Sequence, residues 1–531
     1  MKKLFIMLAV ALLLGFTSCK KSDFEGAYRS PDRISVSTVE KQFAGFLNSN
    51  KFYVVPDYWN YFVVLRTTIN HYTQAVGWGN SPSQWVPGAS GIDSRWGSYY
   101  NFLTQYREVE SIFNSLSDVD KKENRIYMIA ATIYLYDHTQ QVVDLHGDIP
   151  FSDAGKLKAN GGDYANSLPK YDSQDAIYTV MLDGLKGFSD ELNTITVIPG
   201  IAKAFGFQDL INKGNMTLWK KYCNSLRLKM LTRVSGASAF SARATSEITA
   251  ILGNPTDYPV VANNTENVQI NIFSATANPG FSSQGFRSGL EDWQGNIAGK
   301  EMIDHMNTNS DPRLRVMFEP ASGLSPTSPY IGLDPIMSAA DQSALLLGTT
   351  LAIYNRSTLS RNQFFPGVII NAAEVSFLTA EAYLKAGNLA AAKIAYNEGI
   401  DKSVKYYYNL RMISNDFTAP VVTPVTDAEI AAYIVSPAIS WDLALTNENK
   451  LKLIANQKWI HYSVVQPIEN WAELRRLDLP VLSYEVDIAN AQKLPPYRWF
   501  YAGSERVYNT TNYNAVVAKD NLSTKIFWDI K

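Results

Sequence analysis

The chain has 531 residues, with 48 Lys and Arg against 50 Asp and Glu for a formal charge of −2, and it is 46% hydrophobic and 18% charged. That balance excludes a collagen-like or low-complexity chain and a polytopic membrane protein. It supplies no basic excess to neutralise phosphates, so nucleic acid is not an expected partner.

In chain order, Met1–Ser18 carries a basic start (Lys2, Lys3) and an apolar run from Leu4 to Phe16. That run is too short to span a bilayer of ~30 Å but suits the core of a signal peptide. Phe16-Thr17-Ser18-Cys19 resembles a bacterial lipoprotein box, which implies cleavage before Cys19 and acylation of its thiol, so a lipid anchor holds the protein to a membrane. The other cysteine, Cys223, lies in an apolar helical pattern and reads as a buried thiol rather than a nucleophile.

Most of the remaining chain reads helical. Over 124–144, Ile126, Ile129, Ala130 and Ile133 share one helix face, followed by a turn at Leu145-His146-Gly147-Asp148-Ile149-Pro150. Two more amphipathic segments cover 175–192 and 217–234. The clearest unit is a helix pair over 374–404, broken at Gly387-Asn388. Ala380, Ala382, Ala386 and Ala392 let its helices approach closely, in a pattern similar to a tetratricopeptide repeat. Between the helices lie long loop-rich stretches at 77–97, 253–300 and 319–369, and loops of that length in a folded protein are usually functional. The chain also holds an excess of rings, 11 Trp, 30 Tyr and 24 Phe, which predicts aromatic contact surfaces as well as a core.

Catalytic and metal motifs are weak. Gly295–Lys300 is one residue short of a phosphate loop, and Glu301 stands where Ser or Thr is needed. Asp137, His138, Asp144, His146 and Asp148 are metal-ligating residue types, but their spacing suits a hydrogen-bonded turn, so no metal or cofactor is expected. A glycosidase requires two carboxylates about 5–10 Å apart. Glu108/Glu110 and Glu291/Asp292 can be named, and nothing in the sequence singles out either pair. The loop tryptophans carry more: Trp78, Trp85, Trp96 and Trp293 stand beside Asn80, Gln84, Asp93, Asp292 and Gln294. Rings that cover the C–H faces of a sugar, with amides and acids for its hydroxyls, form a ligand platform, and these four tryptophans are the candidate binding residues.

The order of motifs resembles the SusD/RagB family of outer-membrane nutrient-binding lipoproteins. The residues that carry the resemblance are Cys19, Gly147-Asp148-Ile149-Pro150-Phe151-Ser152-Asp153-Ala154, Trp219–Arg233, Asp311-Pro312-Arg313-Leu314, Glu374–Ile400, Trp471-Ala472-Glu473-Leu474-Arg475-Arg476, and Leu494-Pro495-Pro496-Tyr497-Arg498 with Glu505 and Asn509. Most of these motifs read as structural, Arg475 and Arg476 as guanidinium partners of carboxylates and carbonyls. The resemblance implies a mainly α fold, an α-helical body with divergent tetratricopeptide-type helix pairs and a large irregular loop region. It implies a signal peptide over 1–18 followed by one domain over 19–531. It also implies a lipid-anchored, non-catalytic protein on the exterior of the outer membrane, which binds an oligosaccharide or peptide and delivers it to a SusC-like TonB-dependent transporter. The competing readings are a surface glycoside hydrolase and a scaffold that binds only protein.

Overall fold

A computed structural model describes residues 37–272, 282–320 and 328–531. Cys19, the signal segment, Phe273 and Phe281 lie outside the described residues. Ten helices of eleven residues or more, among those described, make the frame: α1 Val39–Ser49, α2 Ala89–Asn114, α3 Arg125–His146, α4 Gln174–Thr194, α5 Met216–Val234, α6 Ser241–Gly253, α7 Ala372–Lys385, α8 Leu389–Ile413, α9 Asn447–Tyr462 and α10 Pro467–Leu477.

Local chemistry sets many of these ends. The side chains of Asn215, Asn371, Asn388 and Thr446 accept hydrogen bonds from the backbone N–H groups of Leu218, Glu374, Ala391 and Asn449, each cap contributing about 1 kcal/mol. Pro467 opens α10, where its missing N–H costs nothing. Gly387 takes φ +77° between α7 and α8, the left-handed conformation that the expected Gly-Asn break requires. The two helices then pack along each other so closely that a Cβ on Gly399 would fall 2.5 Å from Phe377 Cε1. The helices expected at 124–144, 175–192 and 217–234 are α3, α4 and α5.

α3 is buried around nearly its whole circumference, and it is the central helix, in contact with α1, α2, α4, α5 and α10. Strands are few and short: Ile149–Pro150 with Tyr171–Asp172, Val268–Ile270 with Gly367–Ile370, and Phe318–Glu319 with Ile353–Tyr354, all antiparallel. The loop-rich stretches contain more helix than the sequence suggests. α2 begins at Ala89 inside 77–97, and Gly285–Glu291 and Ala339–Leu347 are helical inside the other two.

The helices also bury charge. Asp137 and Asp144 of α3, Lys229 and Arg233 of α5, Glu374 and Glu381 of α7, Lys458 of α9, and Glu469, Glu473 and Arg476 of α10 form one network with side chains no more than 7% exposed. Lys229 Nζ lies 3.3 Å from Glu469 and 3.5 Å from both Asp137 and Glu374. Arg233 reaches Asp144, Glu469 and Glu473. Lys458 and Arg476 both bridge Glu381 and Glu473 at 2.6–2.8 Å. Arg475 donates instead to the Tyr497 and Asp144 carbonyls, in the structural role expected of it. The three aspartates of the 137–148 segment are likewise bonded within the protein. Asp137 accepts from Tyr222 Oη, Asp144 from Tyr178 Oη and Trp528 Nε1, and Asp148 from the Gln174 N–H and Lys519.

Candidate functional site

The four expected tryptophans separate into distinct environments. Trp85 and Trp96 are each only 2% exposed and have no free ring face, which corrects their reading as surface platforms. Trp85 stacks on His71 at 4.4 Å, meets the Tyr484 ring edge-on and donates from Nε1 to the Glu485 carbonyl. Trp96, on α2, packs against Tyr100, His146 and Tyr501 and donates to Glu505 Oε1. The Trp and Tyr rings provide large apolar area, and partners roughly 400 positions later in the chain close over them. Trp78 is half-buried, with a buried Nε1 that has no acceptor. Trp293 is 81% exposed.

Trp78 belongs to a group of side chains that loop position alone did not reveal, and Trp293 follows Asp292 at its edge. Trp59–Leu65 is a π-helix, a rare winding that is frequent at functional sites. It brings Tyr58 and Phe62 into a parallel stack with centroids 5.0 Å apart. The Arg66 guanidinium lies 4.3 Å from the Phe62 ring centroid and 5.6 Å from that of Trp78, and Trp78 stacks on His71 at 4.8 Å. Tyr58, Phe62, Arg66, Trp78, His71 and Trp85 thus form a continuous ladder from the surface into the core. Burial lowers the His71 pKa to about 3, so this ring is neutral and Arg66 is the ladder's cation. Burial also lowers the Arg66 pKa, while Tyr58 and Asp292 favour its charged form.

Asp292 joins the ladder to Trp293. Helix Gly285–Glu291 lies against the π-helix because Gly285 and Gly289 permit it: added Cβ atoms would stand 2.8 Å from Tyr58 N and 2.9 Å from Tyr61 Cβ. The chain then turns through Trp293 and Gln294 at φ +57° and +59°, two consecutive left-handed non-glycine residues costing about 1 kcal/mol or more each. Gln294 Nε2 fastens the turn to the Leu346 carbonyl, and Gly295 sits against Arg66. The result is an indole held out into solvent beside a cation–π ladder, with Leu347 also exposed at the end of the helix where Gln294 is fastened. Such a surface can cover the apolar face of a ring-shaped ligand, with Asp292 and Arg66 beside it for hydroxyls. The 58–66 segment carried one legible signal, since Tyr58, Phe62 and Arg66 recur at intervals of four.

Three of the four candidate acids are committed elsewhere, and the fourth, Asp292, faces Arg66. Glu108 pairs with Lys158 at 2.6 Å, Glu110 with Arg107 at 3.1 Å and Glu291 with Arg361 at 2.7 Å. Ile297 and Ala298 of the phosphate-loop lookalike form bridges to Ile353 and Val76, and Lys300 pairs with Asp304. Cys223 is buried with its Sγ 3.4 Å from the Leu185 carbonyl, and burial pushes its pKa up to about 12. No cluster of three metal-ligating side chains occurs among the described residues.

Comparison with solved structures places the chain among helical relatives of low sequence identity. A SusD homologue from Bacteroides fragilis is 18% identical with a TM-score of 0.71, covering 93% of this chain and 100% of its own. A SusD homologue from Bacteroides vulgatus is 22% identical with a TM-score of 0.69, at 92% and 97% coverage. A chitin-binding SusD homologue from Flavobacterium johnsoniae is 21% identical with a TM-score of 0.69, at 93% and 99% coverage. A comparison with curated proteins found no match. A family model for SusD-like proteins, described as starch-binding and associating with the outer membrane, matches residues 79–502, and the chain therefore belongs to the SusD-like family.

Proposed function

We propose that the protein is a non-catalytic, cell-surface lipoprotein of the outer membrane, anchored through Cys19, that captures an oligosaccharide and delivers it to a SusC-like TonB-dependent transporter. The observation that carries the reading is Trp293, presented at 81% exposure by a left-handed turn beside the Tyr58–Phe62–Arg66–Trp78 ladder. An exposed indole on a strained and fastened turn has no packing role of its own, whereas a ligand platform requires a ring in a fixed orientation. The chitin-binding relative from Flavobacterium johnsoniae supports a glycan as the ligand class. The ion-paired state of Glu108, Glu110 and Glu291 supports binding without hydrolysis.

Calorimetry of the purified protein against chito- and malto-oligosaccharides tests this, with chromatography of the same mixtures for released product. Saturable binding to one glycan class is expected, with Trp293→Ala weakening it by at least about tenfold, or 1.4 kcal/mol. Unchanged affinity in that variant would overturn the site. Released sugar would overturn the non-catalytic reading.

A further inference from the structure

Helix α8 and the irregular segment 414–426 that follows it border a cavity of about 710 Å³, within the range of small-molecule sites. Tyr408 and Met412 of α8 and Phe417, Val421, Val422 and Val425 of the segment form its apolar wall. The segment is fastened to the body of the protein. The Ala419 N–H donates to Ser357 Oγ at 2.9 Å, and Arg315 Nε reaches the Thr423 carbonyl at 3.4 Å. Ala419 is buried there, while Phe417 and Val421 on either side of it are 80% and 90% exposed, and Met412 is 74% exposed. Apolar side chains grouped at a surface in this way mark an interaction site.

The charged groups that line this cavity, Lys405 and Arg411, are both cationic, and no carboxylate lines it among the described residues. Lys405 is balanced by Asp401 at 2.7 Å and Asp427 at 3.2 Å. Arg411 has no ion pair among the described residues. Its single hydrogen bond is a 3.3 Å contact from Nη1 to the Asp416 carbonyl, and its Nε is buried without an acceptor. The two carboxylates that act on it electrostatically are held by other groups: Asp416 accepts from Ser357 and Thr418, and Glu319 pairs with Arg356 at 2.8 Å. A guanidinium is weakly hydrated and its planar fork matches a carboxylate, so at the edge of an apolar cavity it selects an apolar molecule with an acidic end.

We infer that this cavity binds a small amphiphile carrying one carboxylate, an alkanoic acid of about eight to twelve carbons, with its chain against Tyr408, Met412, Phe417 and Val421 and its carboxylate on Arg411. Neither Trp293 nor any residue of the Arg66 ladder lines the cavity, so the inference does not rest on the glycan-binding reading.

Calorimetry of the purified protein against hexanoate, octanoate and decanoate, each below its micelle concentration, tests it. One saturable site per chain is expected, with Kd falling about fourfold for each further CH₂ group that enters the cavity. Decanol, which has the chain without the charge, should bind at least about tenfold more weakly than decanoate, and Arg411→Met should remove that difference. Val421→Asp sets a negative charge at an exposed position of the wall, so it should abolish binding of the acids while shifting Tm by no more than about 1 °C. If Arg411→Met fails to fold, Val421→Asp and the decanol comparison decide. No saturable binding of any of the acids, decanol binding as tightly as decanoate, a decanol difference that survives Arg411→Met, or unchanged binding in Val421→Asp would overturn the inference. So would sedimentation showing a dimer that Val421→Asp dissociates, because a second copy of the chain would then be the occupant.

Discussion

Replacing Glu381 with Gln keeps the shape of the side chain and removes one negative charge from the buried network. Glu381 accepts from Arg476 Nη1 and Nη2, both at 2.7 Å, and from Lys458 at 2.8 Å, with its own side chain fully buried. In the variant, Lys458 and Arg476 are left to share Glu473, and the new amide N–H group faces cations. Removing one partner of a buried pair costs about 3–5 kcal/mol. Lys393 and Asp442 provide the contrast, because they meet at 2.6 Å but are 41% and 66% exposed, and such a surface pair contributes about 0–1 kcal/mol. A chain of 531 residues has an unfolding entropy of about 1.1 kcal/mol per K, so Glu381→Gln should lower Tm by about 3–5 °C and Lys393→Met by about 1 °C or less. Scanning calorimetry of the two variants beside the unsubstituted protein measures both. Equal shifts, or a Glu381→Gln shift under about 1 °C, would refute the claim that burial gives this network its energetic weight.

Other consequences are open to direct measurement. Burial raises the Glu374 pKa to about 7 from 4.5, against the pull of Lys229, so the folded state holds a proton that the unfolded state releases first. Stability should fall as pH rises from about 4.5 to 7, and Glu374→Gln should flatten that part of a Tm-against-pH curve; an unchanged slope would show that another group carries it. Gly399→Ala should destabilise by about 1–3 kcal/mol in denaturant titration, because the methyl group meets Phe377 and α7 must shift from α8. Trp85→Ala should cost about 3–5 kcal/mol of stability, whereas Trp293→Ala should stay within about 0.5 kcal/mol, separating the core ring from the exposed one in the same assay. Cys223 should resist thiol reagents in the native protein and react fully in urea, and rapid native labelling would contradict its burial.

The helical frame was legible because its signals are local. The apolar spacing of α3, α4 and α5, and the Gly387-Asn388 break between α7 and α8, are written within a few turns of chain. The fate of the tryptophans was not, because burial is decided by distant residues: Tyr484 and Glu485 close over Trp85, and Tyr501 and Glu505 over Trp96. Gly91 and Gly97 made the start of α2 read as loop. Yet Gly91 is small because its helix passes close to Val63, where a Cβ would lie 3.1 Å from the backbone carbonyl. The Arg66 ladder was missed for a similar reason, since its members come from the π-helix and its two flanking residues, from the short helix Ile69–Tyr72 and from the turns around Trp78 and Trp85, and only the folded chain stacks them.

The buried charges have a consequence for how the protein comes apart. In an open array of helical repeats each repeat touches only its neighbours, and an end can fray while the middle stays folded. Here α7, half of a repeat-like pair, contributes Glu374 and Glu381 to residues of α5, α9 and α10, and through Lys229 and Arg233 to the central α3. Peeling α7 or α10 away would strand opposite charges in apolar surroundings on both sides of the break. The five helices should therefore be lost together, and their amides should exchange with solvent in a single cooperative step.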